Sequence, residues 1–208
     1  MARVLLINPI VREEDVPRHI PMGEAILAAI AIKAGHSVAV LDCNAHRIGV
    51  HKVGEAALAD DWDVIAIGGL TTTYRYIKAA CKAIKEARPK VFLVAGGGFI
   101  TSMPADIMSW IPEIDVGIIG EAFVTWLEVL AKADQKDFDF SKTLGVIYRD
   151  GGTTELTAAR PVIHELDNVP FPAWELFPLE IYFKNSSSLF SEEAYLATRR
   201  IDINASYG

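Results

Sequence analysis

"DVIAIGGLTTTYRYIKAACKAIKEARP", residues 63–89, decides the fold. It opens with Val64 to Ile67, apolar at every position, so neither face of that segment is suited to water. Gly68 and Gly69 break the run, and three threonines follow that are able to cap a helix. The rest runs as a helix to Pro89. A strand buried on both faces and leading into a helix is the repeating unit of a parallel sheet.

The same grammar extends in both directions. Upstream stand "RVLLIN" (Arg3 to Asn8), a charged and proline-rich loop, the helical "MGEAILAAIAIKAG" with Gly35 as its cap, "HSVAVLD" ending at Asp42, and the short helix "HKVGEAALADD". Downstream stand "KVFLVAGGG", the short helix "SMPADIMSWIP" with Pro104 near its first turn, "IDVGIIG" and the helix "EAFVTWLEVLAKA". Five nearly all-apolar strands alternate with five helices. This predicts an α/β fold with a doubly wound, five-stranded parallel sheet.

After about Ala133 the pattern changes. "DQKDFDFSKT" is a polar link, and "LGVIYRDGGTTELTAARPVI" reads as a β-hairpin turning at Asp150-Gly151-Gly152. "HELDNVPFPAWELFPLEIYF" is rich in proline and aromatics and has no helical or strand period, as expected of a segment lying extended over another surface. "KNSSSLFSEEAYLATRR" follows as a loop or amphipathic stretch. In the last residues Ile201, Ile203 and Ala205 alternate with Asp202, Asn204 and Ser206, the period of a half-buried strand. The expected organisation is an α/β domain over 1–135, a hairpin extension over 136–166, and a linker with one further strand over 167–208.

Composition bounds the function. The chain has 208 residues, 51% hydrophobic and 23% charged, enough to bury a core and exclude wholesale disorder. Its formal net charge of −7 argues against binding nucleic acid. The first residues are too short an apolar run for a secretory signal, and no apolar stretch approaches the roughly 20 residues of a membrane helix. The expectation is a cytoplasmic protein with no membrane contact. Cys43 and Cys81 lack CxxC spacing and read as small buried hydrophobes rather than zinc ligands.

Ligands of open parallel sheets bind at the carboxyl ends of the strands. Those ends carry, in order, Asn8, Pro9 and a long loop with His19; Asp42, Cys43, Asn44 and His46; Gly69, Leu70, Thr71, Thr72 and Thr73; Gly96, Gly97, Gly98 and Phe99; and Gly120 and Glu121. The threonines suit either a helix cap or a ligand's polar groups. Three adjacent glycines exceed what a turn needs and admit a flat, bulky group to the backbone. The dinucleotide fingerprint G-x-G-x-x-G is missing after the first strand, as is the P-loop. A receiver domain would need acidic residues after the first strand and an aspartate after the third; Asn8 and Gly68-Gly69 stand there instead.

Taken together, "NP" after the first strand, "PMG", a helix of the type LAAxLxxxGHxVxVxD, "GG", "GGGF…P" and "DVGIIGE" resemble the cobalamin-binding domain fused to radical S-adenosylmethionine (SAM) enzymes. "LDNVPFPAWELFP" resembles the linker that joins that domain to the radical SAM barrel. The resemblance covers nearly the whole chain. It implies a Rossmann-like cobalamin fold, with Asn8, Pro9, His19, Gly69, Leu70, Thr71, Thr72, Thr73, Gly96, Gly97, Gly98, Phe99, Gly120 and Glu121 against the cofactor and the dimethylbenzimidazole tail between the Thr71–Thr73 and Gly96–Gly98 turns. It also implies a 4Fe–4S cluster and SAM in a barrel lying beyond Gly208, whose first cluster cysteine would follow directly. The full enzyme would perform methyl transfer or cyclase-type ring formation, and this segment alone would turn nothing over.

The chain departs from the wider pattern at three points. The D-x-H-x-x-G motif of the methionine-synthase type is missing: around His19, Pro17 and Met22 take the Asp and Gly positions. That implies base-off cobalamin whose lower face lacks the usual imidazole, with His19 as the remaining candidate. "NAHRIG" (Asn44 to Gly49) mimics the motif on the wrong strand, which makes His46 a surface histidine. Phe99 stands where the family often has histidine, and Ala122-Phe123 where it often has a second G-E. Two rival readings follow. One is a docking module that has lost cobalamin, with Phe99 and Phe123 filling the groove; the other is a flavodoxin-like protein binding nucleotide or flavin. Trp62, Trp110 and Trp126 read as core or sheet-covering residues, and Trp174 as packing. Asp42 and Glu121 each read as a ligand contact or a cap. With its docking partner gone, the 167–208 segment is expected to be poorly ordered or to borrow a neighbour's surface.

Overall fold

The structure, a computed structural model, describes residues 1–185. The expected terminal strand lies outside the described residues. Five strands run parallel: β1 (Arg3–Asn8), β2 (Ser37–Asp42), β3 (Val64–Gly68), β4 (Phe92–Gly96) and β5 (Val116–Ile118). Between them lie α1 (Met22–Lys33), α2 (Cys43–His46), α3 (Val50–Leu58), α4 (Tyr74–Ala87), α5 (Gly98–Ser102) and α6 (Pro104–Trp110); α7 (Phe123–Gln135) follows β5. The predicted hairpin is present as β6 (Val146–Asp150) and β7 (Thr153–Leu156), but it does not stand apart. β6 pairs antiparallel with β5, so one seven-stranded sheet results, in the order β2-β1-β3-β4-β5-β6-β7.

Because every parallel strand is apolar on both faces, the sheet separates two cores. Val4, Leu6, Val64, Val94 and Val116 face α1 and α7, where Trp126 is the bulkiest buried side chain. Leu5, Ile7, Ile65, Ile67, Leu93 and Ala95 face the other way, against α3, α4, α5 and α6. Strand order reverses between β1 and β3, since β2 lies on one side of β1 and β3 on the other. That crevice at the carboxyl ends is where an open α/β sheet takes its ligand.

Local signals explain the boundaries. α1 ends in a Schellman motif: Gly35 adopts φ +91°, its N–H donates to Ile32 O, and His36 N–H donates to Ala31 O. Pro104 opens α6 at a position where no N–H is needed. Trp126 is sunk in the core, but Trp110 is 43% exposed, with its ring edge-on to Tyr74 at 5.8 Å, and Trp62 is half-buried. The single apolar face of the short α6 is used up by Ile107 and Met108, which leaves Trp110 outside.

The segment after residue 166 differs from the expectation through residue 185. It packs on the domain itself. Ala173 N–H donates to Ala25 O at 3.0 Å, and Ala173 and Phe177 are buried. A further helix, α8 (Leu179–Asn185), carries Tyr182 into the strand ends, where it is 1% exposed. The prolines of this stretch hid a one-face pattern too short to show a period.

Candidate functional site

The β1–α1 loop, residues 9–21, hangs over the crevice and is tied down by a residue the sequence reading passed over. Arg47 adopts φ +54° just after α2, and its guanidinium donates to Arg12 O at 2.6 Å and Glu13 O at 2.7 Å. Asn44 Oδ1 accepts from Val11 N–H at 3.1 Å. His46, between them, is exposed. The stretch that mimics a cobalt-ligand motif is thus a clasp for the loop.

Beneath that loop lies a cavity of about 660 Å³, walled by Asn8, Pro9, His19, Asn44, Gly69, Leu70, Thr73, Gly97 and Gly98. His19 is exposed on the loop side. A second cavity, of about 340 Å³, runs under α1 and α7 along the ends of β3 and β4. Its floor is Ala66, Gly68, Val94 and Gly96; its cover is Leu27, Phe123 and Trp126; its far end holds Gly120 and Glu121. Trp126 Nε1 donates to Leu27 O at 3.2 Å, which fixes the cover to α1. Gly69, Gly97 and Glu24 border both cavities.

The glycines divide by role. Gly97 adopts φ +86°, ψ −173°, a region open essentially to glycine alone. A Cβ there would stand 2.7 Å from Gly69 O, and Phe99 N–H donates to that same oxygen at 3.1 Å. A Cβ on Gly69 would meet Thr73 Oγ1 at 2.5 Å. These two glycines let the turns after β3 and β4 lie backbone against backbone. Gly96 and Gly120 are different: no atom lies within 4 Å of a Cβ built on either. They leave open space beside an apolar slot, which fits a flat aromatic base.

Several expected contacts are placed elsewhere. Phe99 is fully buried in the core against α4 and α6 and reaches neither cavity, so its side chain is corrected from ligand contact to core. It therefore does not fill the groove either. Phe123 lines the smaller cavity without closing it. Thr73 is 3% exposed in the wall of the broad cavity, and its hydroxyl donates back to Leu70 O at 2.6 Å rather than capping α4. Thr71 and Thr72 are exposed and line neither cavity. Glu121 does not cap α7; its carboxylate accepts from Ile163 N–H at 3.3 Å.

A polar knot closes one side of the crevice. Asn8 Nδ2 donates to Asp42 Oδ1 at 2.8 Å, Tyr182 O–H donates to Asp42 Oδ2 at 2.8 Å, and Asp42 Oδ1 also accepts from Ala45 N–H at 2.9 Å. Asp42 is therefore a cap and a hub. Burial, then the Asp42 carboxylate, pushes the Tyr182 phenol above its ordinary range, so it stays a donor. Tyr182 was illegible because its partners lie 140 and 174 residues away. Burial likewise pushes the Cys43 thiol to about 11 and raises Cys81, which leaves both uncharged at neutral pH.

An open α/β sheet with a glycine-lined crevice at its carboxyl edge defines a class of ligand-carrying domains. Within that class the chain belongs to the B12 binding domain family, whose profile matches residues 10–130. An uncharacterized methyltransferase of Pyrococcus horikoshii is 28% identical over 162 residues, 78% of this chain and 35% of that protein. The anaerobic magnesium-protoporphyrin IX monomethyl ester cyclase of Synechocystis sp. is 27% identical over 189 residues, 86% of this chain and 37% of the enzyme. The chain thus spans about a third of the length of these relatives. The cobalamin-dependent SAM radical enzyme OxsB, solved with aqua-cobalamin and SAM, shares the fold with a TM-score of 0.72 at 17% identity over 90% of this chain and 26% of that one. The radical SAM methyltransferase TsrM of Kitasatospora setae, solved with cobalamin and a 4Fe–4S cluster, gives 0.65 at 18% identity, over 79% and 30%.

Proposed function

We propose that this domain carries cobalamin for a radical SAM enzyme that transfers methyl groups or closes rings, the enzyme's 4Fe–4S cluster and SAM being held by a separate barrel. The observation that carries the reading is the pair of adjoining cavities, one broad and one narrow, meeting at Gly69 and Gly97. The broad cavity would seat the edge of the corrin ring against Pro9, Leu70 and Gly98. The narrow one would take the nucleotide tail between Gly96 and Gly120 on one side and Leu27 and Trp126 on the other. Residues 1–135 would be the cofactor unit, 136–166 its hairpin edge, and 167–208 the link to the barrel, working in the cytoplasm.

When bound, cobalamin supplies a cobalt centre able to carry a methyl group or an electron. This chain's residues bind, orient and exclude water. The loop clasped by Arg47 covers the ring side, and the apolar slot strips water from the base. Relatives named as a methyltransferase and as a cyclase support this pair of reaction classes.

Titration with hydroxocobalamin, followed by visible absorbance, tests the reading. The chain should bind it with a shifted spectrum. Gly96→Phe, which projects a ring into the open slot, should abolish binding while leaving the thermal midpoint within a few degrees. A chain that stays colourless at cofactor excess would overturn the reading.

A further inference from the structure

Glu24 sits in the first turn of α1 and forms part of the wall of both cavities. Its carboxyl reaches over the end of β3, where Oε1 would stand 3.2 Å from a Cβ on Gly68. That glycine keeps the place clear for it. Burial is the main cause that raises the Glu24 carboxyl above the ordinary carboxylate range, against a lowering hydrogen bond from its own backbone, and Asp42 adds to the rise. The titratable and charged groups around it come from every neighbouring element: Asp42 at the end of β2 and Tyr182 on α8 on one side, Arg12, Asp15, Arg18 and His19 on the β1–α1 loop, and Glu121 across the narrow cavity.

Glu24 borders both cavities together with Gly69 and Gly97, so a ligand occupying both passes beside it. If the ring lies in the broad cavity and the base in the narrow one, the part that crosses is the phosphodiester link between them. A carboxylate facing a phosphate in a desolvated passage is repelled, whereas a protonated carboxyl donates a hydrogen bond. We propose that Glu24 is a specificity-determining residue that reads this phosphodiester link by donating a hydrogen bond to it. The inference rests on the cobalamin reading above.

The sign of the linkage follows. A neighbouring phosphate raises the carboxyl's pKa further, so binding takes up a proton. The affinity gain is complete below the pKa of the free protein and is lost as pH rises through that of the complex. Methylcobalamin and methylcobinamide, which lacks the nucleotide and its phosphate, are the probes. As pH rises from the ordinary carboxylate range through the raised titration of Glu24, methylcobalamin affinity should fall by about tenfold for the unmodified chain. Glu24→Gln, which keeps an N–H donor and no charge, should hold high affinity with no such slope. Methylcobinamide should bind without the slope in both proteins. Calorimetry of the unmodified chain in buffers of different ionisation heat should register proton uptake with methylcobalamin, which tests the inference even if the variant folds badly. A flat profile for the unmodified chain, an equal slope in Glu24→Gln, or an equal slope with methylcobinamide would each overturn it. Failure of the unmodified chain to bind methylcobalamin at any pH would instead remove the cobalamin reading, and this inference with it.

Discussion

Glycines of one short run, Gly96 to Gly98, do separate jobs, and substitution distinguishes them. Gly97→Ala forces a Cβ into a backbone region reserved for glycine and to within 2.7 Å of Gly69 O. It should cost about 3 kcal/mol in denaturant unfolding. Gly96→Ala meets nothing within 4 Å and should leave stability within about 0.5 kcal/mol. Sequence alone showed that three glycines were more than a turn requires. It could not show which one was surplus, because the answer depends on Gly69, across a strand boundary and 28 residues away. Phe99 was misread for a related reason: one residue past a glycine run, its direction is set by the start of α5, and it turns under the sheet.

At the scale of elements, the alternation of strands and helices was legible because a strand buried on both faces has to be apolar throughout. Strand order was less so. The hairpin at Asp150-Gly151-Gly152 could be read from its turn, but its pairing with β5 could not, since Gly117 hides the reason. A Cβ on Gly117 would stand 2.7 Å from Ile100 and 2.9 Å from Ile147, so only glycine lets α5 and β6 close on that strand. The covering loop after β1 also depends on a distant partner. Arg47→Ala removes both donations to the loop carbonyls, at Arg12 and Glu13. Limited proteolysis should then cut within residues 9–21 several times faster, with the unfolding midpoint little changed.

For the whole molecule, the segment after residue 166 is part of the folded body rather than a free tether through residue 185. Ala173, Phe177 and Tyr182 are buried, and Tyr182 completes the hydrogen bonds of Asp42 and Asn8. A chain ending at residue 166 should lose about 3–5 kcal/mol, from apolar surface uncovered on α1 and from a buried carboxylate deprived of its phenol. Denaturant midpoints of the two lengths, measured by tryptophan fluorescence and far-ultraviolet circular dichroism, check this.

Tyr182 fixes where α8 lies. Its hydroxyl is moored to Asn8 and Asp42, the last residues of β1 and β2, so α8 is berthed at the strand ends beside the broad cavity, which Asn8 lines. The helix therefore lies on the same shore at which the ligand would be loaded, not on the opposite side of the sheet. Prising that phenol loose would set α8 adrift from the strand ends.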